Sequence, residues 1–464
     1  MDADTISTDA TSCPGCIARD RHIAQLEARV KQLEDRVEAL SRSGKRQAAP
    51  FSRGLPKTDP KRPGRKGGPE YGTKAFRAVP PVIDEVHNAP LPEHCPRCGG
   101  RQFIDERIEP QYQAEIPRRP IYRQFNVAVG YCACCGKRVQ GRHPLQTSDA
   151  LGCCASQIGP DAQAAVVMLN KELGLSQGKI SRFFQALFGI KLTRGRSCQI
   201  LLRAADRCQP TYQAIVRRVR ESDWIVPDET GWRIGGWLAW LHVAVGQDAV
   251  AYLIARQRGV DASALLIGRN YSGTLIHDGW ASYDRFWRAI HQTCLGHLLH
   301  RCHEMLETAA GGAVVFPRKV KAVLLEALET RDRRDARKIS VGRAKAKADD
   351  LQERMSALVT PVKYNAANER LAAHLHRHLG QRFTFLRYKG IDATNHRAEQ
   401  AIRPAVVNRK VWGGNRTERG AAAQSILMTV LFTALMNGRD AMAFVSRTLC
   451  ALPNHRPSLL DESG

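Results

Sequence analysis

The first apolar pattern in the chain has a period of seven. Ile23, Leu26, Val30, Leu33, Val37 and Leu40 recur at alternating spacings of three and four. Ile23, Val30 and Val37 take the a positions and Leu26, Leu33 and Leu40 the d positions. β-branched a with Leu at d predicts a parallel two-stranded coiled coil. Arg29 at g and Glu34 at e can pair across the strands. Residues 1–43 are therefore expected to join chains into a homodimer or higher oligomer. The pattern stops at 44–90, where Pro50, Pro56, Pro60, Pro63 and Pro69 exclude a continuous helix and predict a linker.

Between 155 and 215 the period is helical. Ala164, Val167 and Met168 form one face before Gly174. Ser176 caps a second helix that carries Ile180, Phe183, Phe184 and Leu187. Gly189 ends that helix and Thr193 caps a third. Helix, glycine turn and helix predict a helix-turn-helix-like region. At 222 the pattern becomes strand-like. Residues 224–228, 237–245 and 249–255 read as strands, 261–267 as a helix and 273–278 as a fourth strand. An aromatic helix through Tyr283, Phe286 and Trp287 is expected next. Three strands, a helix and a fourth strand open an α/β ribonuclease-H-like fold. It is expected over 222–420, with a charged helical insertion at 304–388. The tail, 421–464, reads as an apolar helix pair. Its run at 426–436 is broken by Thr and falls short of the ~20 residues a membrane span needs.

Charge narrows the partner. Lys and Arg number 70 against 45 Asp and Glu, a net charge of +25. Such an excess calls for a polyanion. The first residues show neither a basic nor an apolar leader, so a secreted or membrane protein is not expected and DNA is. Arg62, Arg65 and Lys66 make an extended basic arm suited to a minor groove. Lys179, Arg182, Arg194 and Arg196 lie on the helix-turn-helix-like region.

The 14 cysteines include the close pairs Cys13/Cys16, Cys95/Cys98 and Cys132/Cys135, with Cys134 inside the last. Such pairs without a secretion signal read as metal ligands in a reducing, cytoplasmic setting. Cys95-Pro-Arg-Cys98-Gly and Cys132-Ala-Cys134-Cys135-Gly each look like a zinc knuckle. Together Cys95, Cys98, Cys132 and Cys135 supply the sulfurs of one structural Zn²⁺. The alternating stretch 123–131 reads as a ribbon strand, which gives a zinc-binding module at 91–145. The Cys13/Cys16 pair stands alone.

The acids carry the chemistry. Asp228 ends the first catalytic strand and Asp278 the fourth, and the expected sheet makes them neighbours. Glu229 should point to the opposite face. A late helix, capped by Asp392 or Thr394, places Asn395, Glu399 and Arg403 on one side. Asp228, Asp278 and Glu399 can hold two Mg²⁺ ions about 3.5–4 Å apart. Arg403 can steady a phosphate. Cys294-x-x-His297, with Cys302 and His303 nearby, reads either as a second zinc site or as a helix under the catalytic strands. His396 reads either as a phosphate contact or as a cap.

Several motifs then follow in order: Pro227-Asp228-Glu229-Thr230-Gly-Trp232, His277-Asp278-Gly279-Trp-Ala-Ser-Tyr283, Cys294-Leu-Gly-His297-Leu-Leu-His300-Arg301, Asp392-Ala-Thr-Asn395-His-Arg-Ala-Glu399 with Arg403-Pro404, and Arg409-Lys410-Val-Trp412-Gly-Gly414-Asn415. In these the chain resembles transposases of the insertion sequence 66 family, which carry a DDE triad. The resemblance runs over nearly the whole chain. It implies Asp228, Asp278 and Glu399 as the triad, and divalent-metal-dependent cleavage and joining of transposon-end DNA. It also implies a bacterial cytoplasm, the nucleoid as the place of work, and room for companion proteins of the element. The alternatives are a DNA-binding protein derived from such a transposase, or a nuclease without strand transfer. The first predicts erosion of the acids, and all three are present.

Overall fold

A computed structural model describes residues 22–23, 25–30, 32–33, 79–104, 107–151, 157–309, 311–452 and 457–460. It divides into two units, residues 51–123 and residues 1–50 with 124–464. The basic arm at Arg62, Arg65 and Lys66 lies outside the described residues, as do Cys13, Cys16, Val37 and Leu40. The described part of the coiled-coil segment is helical, with Ile23, Leu26, Val30 and Leu33 exposed.

In the smaller unit the described residues form neither helix nor strand. One turn is well built there: the Gly99 N–H donates to the Cys95 carbonyl and the Cys95 N–H to the Gly100 carbonyl, each at 2.8 Å.

From residue 124 on, the larger unit starts with a hairpin, β1 (Val129–Tyr131) antiparallel to β2 (Arg138–Gln140). The strand expected over 123–131 shrinks to three residues. Only these have a partner to complete the ladder, which closes where the Gly141 N–H meets the Ala128 carbonyl. Three helices follow: α1 (Pro160–Lys171), α2 (Gln177–Phe188) and α3 (Arg194–Arg220). Ser176 and Thr193 cap α2 and α3 through their hydroxyls, as expected. Gly174 and Gly189 make the turns between them, at φ of +70° and +68°, where a side chain would be strained.

The sheet comprises β3 (Trp224–Ile234), β4 (Trp237–Val245), β5 (Val250–Ala255), β6 (Thr274–His277) and β7 (Ile290–Thr293), in the order β5-β4-β3-β6-β7. The pairs β3/β4 and β4/β5 are antiparallel, whereas β6 runs parallel to β3 and β7 to β6. Helix α4 (Val260–Ile267) connects β5 to β6. The aromatic helix expected after Gly279 is a single 3₁₀ turn, Tyr283–Arg285, and the chain then pairs as β7. Tyr283 and Phe286 are both buried, but Trp287 is 73% exposed, so the apolar face does not extend into a further turn.

Among the described residues, these α-helices follow: α5 (Leu295–Thr308), α6 (Val315–Asp335), α7 (Val341–Val359), α8 (Ala366–Arg377), the four-residue α9 (Thr384–Arg387), α10 (His396–Trp412), α11 (Glu418–Met436) and α12 (Ala441–Cys450). Strand alternation splits the core between the two faces of the sheet. Ile225, Ala244 and Leu275 join a cluster with α1–α4, α11 and α12. Their neighbours Trp224, Val226, Val243, Val245 and Ile276 join Val320, Leu324, Leu351, Met355, Leu371 and Leu375. The segment between the second and third acids therefore helps to build the core on one face of the sheet, with most of its charges on the outer side and Arg382 buried.

Helix α11 is long and apolar enough to cross a membrane, yet two thirds of it is buried inside the fold. It lies along the edge strand β5. The Val250, Tyr252 and Ile254 N–H groups donate to Thr433 Oγ1, Thr429 Oγ1 and Ser425 Oγ at 3.1, 2.9 and 2.9 Å. A period of four on the helix thus meets a period of two on the strand, and the edge that would otherwise invite pairing is closed.

Candidate active site

Asp228 sits on β3, the central strand of the sheet. The parallel register Trp224↔Thr274 and Ile225↔Leu275, carried three residues on, sets Asp278 level with it just beyond β6. Glu399 occupies the first turn of α10, a helix that packs on β3. Arg409, further along α10, donates to Thr230 Oγ1 at 3.3 Å and to the Gly231 carbonyl. The start of α10 is tied down by the Leu295 N–H, which donates to the Ala393 carbonyl at 2.9 Å. The N-cap is Asn395, not Asp392 or Thr394, and its side chain makes no capping bond. Its Oδ1 is buried without a partner, and Asp392 instead faces Arg397 at 3.7 Å.

The three acids share one electrostatic field. Burial is the main cause that lifts the Asp228 carboxyl to about 7, and the negative charges of Glu229, Asp278 and Glu399 add to it. The Glu229 N–H, donating to Asp228 Oδ1 at 2.8 Å, opposes the shift. Among the described residues, no three His, Cys, Asp or Glu side chains come close enough to grip one ion. The acids are thus gathered without forming a closed cage. Asp278 Oδ1 accepts the Trp280 N–H at 2.8 Å. Glu399 is half exposed. The donor set still suits a hard cation, since it consists of carboxylate oxygens whose mutual repulsion a cation would relieve.

Glu229 has a different use. Its side chain is 2% exposed, pairs with Arg258 at 2.8 Å and accepts the Tyr283 hydroxyl at 2.6 Å. Arg258 in turn stacks on Trp240 and Trp280. Sequence reasoning found no role for Arg258 or Tyr283, because nothing local marks two residues that meet Glu229 only in the fold.

His297 also belongs to the site. Its Nε2 lies 3.6 Å from Glu399 Oε1. A hydrogen bond with Cys294 is the main cause that raises it to about 9, burial opposes this, and the charges of Glu399 and Asp278 support it. The Cys-x-x-His spacing places both residues at the start of α5, with Cys294 as N-cap. Of the other candidates for a second zinc site, Cys302 is buried and His303 is exposed and pairs with Glu307 at 3.3 Å.

Arg403 is exposed on α10, as is His396 at its start. On the three-helix region Lys179, Arg182 and Arg194 are exposed and Arg196 is half-buried. The cysteine turns resemble each other. Cys95 is drawn down by the backbone N–H groups of Arg97 and Cys98, and Cys132 by those of Cys135 and Cys134. Each turn ends on a glycine with positive φ, Gly99 at +72° and Gly136 at +66°. Both turns thus favour a thiolate, the form that binds metal.

A family model described as "Transposase IS66 family" matches residues 155–423, more than half of the chain. The match takes in the three-helix region, the whole sheet and all three acids. A comparison with curated proteins finds no match.

Proposed function

The chain belongs to the IS66 family of transposases, and we propose that it cuts and joins the DNA ends of an insertion element with a divalent metal, using Asp228, Asp278 and Glu399. The observation that carries this reading is the level placement of Asp228 on β3 and Asp278 just beyond its parallel neighbour β6, with Glu399 close enough to raise Asp228. The sheet order, with three antiparallel strands followed by two parallel ones, supports a ribonuclease-H-like core.

The three acids would hold Mg²⁺. Bound there, it supplies an activated water or 3′-hydroxyl and a counter-charge for the leaving oxygen of a phosphodiester. The chain's own groups do the rest. His297 lies beside Glu399 and offers a cationic imidazole on the exposed side of the acids. Arg403, one turn beyond Glu399, is free to meet a phosphate. Lys179, Arg182, Arg194 and Arg196, with the arm at Arg62, Arg65 and Lys66, neutralise the duplex backbone. The coiled coil brings two chains, and so two element ends, together. The cysteine turns at Cys95/Cys98 and Cys132/Cys135 bind structural zinc.

The test uses purified protein, Mg²⁺ and labelled element-end DNA. Wild type should give cleaved and joined products. Asp228→Asn should bind the DNA equally well and give none. Equal products from both proteins overturn the catalytic reading.

A further inference from the structure

Beneath Asp278 lies a pair of imidazoles, one buried and one half-buried, that the proposed reaction leaves without a role. His277 is fully buried at the end of β6, and His291 is its neighbour on β7. The Gly279 N–H donates to His277 Nδ1 at 3.1 Å. His277 Nε2 lies 3.1 Å from His291 Nδ1, and His291 Nε2 lies 3.1 Å from the Phe286 carbonyl. A backbone amide can only donate and a carbonyl can only accept. Both ends of this chain are therefore set, and only one arrangement of neutral rings satisfies it. His277 accepts at Nδ1 and donates from Nε2, and His291 repeats the pattern.

The same turn is restrained on its other sides. Gly279 has a φ of +90°. A Cβ there would stand 3.0 Å from His374 Cε1 and 3.7 Å from His378 Nε2, so the helical segment presses on the turn. The His277 carbonyl accepts the Cys294 N–H at 2.7 Å. One oxygen of Asp278 is already taken by the Trp280 N–H. The direction of the other oxygen depends on how the Gly279 peptide is held.

We propose that His277 is a positioning residue for Asp278: its ring, oriented by His291, holds the Gly279 amide and so aims the free Asp278 oxygen at the metal. The proposal rests on the reading of Asp278 as a metal-binding acid. Partners of this kind around metal ligands typically contribute tenfold or more to affinity.

The experiment measures Mn²⁺ binding to the full chain without DNA, by the loss of the free-ion electron paramagnetic resonance signal, with thermal unfolding in parallel. Asn at 277 returns an oxygen to the place of Nδ1. Gln is nearer to His in size but reaches the place of Nε2 and leaves the Gly279 amide unpaired. His277→Gln should weaken Mn²⁺ binding about tenfold and His277→Asn by less than about threefold. A role in packing alone would reverse that order, and that result overturns the proposal. Asp278→Asn separates the two readings. If it weakens binding while His277→Gln does not, the positioning role is wrong and the acid assignment stands. If Asp278→Asn binds Mn²⁺ like wild type, the acid assignment falls and the positioning role with it. Should His277→Gln fail to fold, His291→Leu removes the orienting ring and keeps His277; unchanged Mn²⁺ affinity there also overturns the proposal.

Discussion

The acids and the cysteine turns are assembled in opposite ways. Each cysteine turn is completed within six residues, by N–H groups that follow the first thiol directly. The acids come from positions 228, 278 and 399, and their meeting depends on a parallel strand register, a turn and a distant helix. Each cysteine turn carries its geometry in its own backbone. A dispersed site takes its geometry from everything between its members, here including half of the hydrophobic core. The two should therefore fail independently, and for different reasons.

The largest effect should come from the thiols. Zinc content near one per chain should fall to near zero in Cys95→Ser and in Cys132→Ser, as measured by elemental analysis, while Mn²⁺ binding at the acids persists. If the acids lose their metal too, the independence is wrong. Next comes Asp228→Asn, which should lower the cleavage rate by at least about 10²-fold and keep the zinc; unchanged zinc with unchanged cleavage would sink the catalytic assignment.

A third test addresses the frame of the dispersed site through Lys171. This side chain is buried and bonded to Gln424 Oε1 at 2.5 Å, and its carbonyl accepts from Asn408 of α10 at 2.7 Å. Burial lowers its ammonium to about 7. This group then holds fewer protons in the folded state than in the unfolded chain between about 7 and 10.4, so its contribution to stability should rise with pH across that window. Below pH 7 the cost of the buried charge is fully present. From pH 7 to 9 wild type should gain about 2 kcal/mol relative to Lys171→Met in urea unfolding, a difference in which the titration of His297, common to both proteins, cancels. A difference that does not change with pH would mean the ammonium stays charged.

An effect of similar size is expected at the sheet edge. Thr429→Val leaves the buried Tyr252 N–H without an acceptor and should cost about 1–3 kcal/mol. A neutral result would show that the edge needs no hydroxyl.

Much of this was legible in the chain. The caps at Ser176 and Thr193, and strands β4 and β5, announce themselves through local pattern. So do the acids, once their motifs are taken in order. The fifth strand was not legible, because Ile290–Thr293 is four residues long and carries His and Gln in its middle. The roles of His277 and His291 were hidden for a related reason. They meet across a parallel pairing, which no spacing along one strand encodes. The sequence points to Asp392 or Thr394 as the cap, whereas the helix starts from Asn395, whose side chain makes no capping bond. The charged segment between the second and third acids suggested an appendage, since its buried stripe of Val320, Leu324, Leu351 and Met355 is diluted by Arg, Lys, Asp and Glu.

The hydroxyl ladder of α11 has a consequence for how the protein is made. The ribosome delivers β5 some 170 residues before it delivers Ser425, Thr429 and Thr433. Until then the growing chain has an open strand edge and three unpaired amides. Once α11 docks, the chain has in effect swallowed its own sticky end. Two finished copies must then join elsewhere than at β5, whereas a truncated copy would keep that edge open to its neighbours.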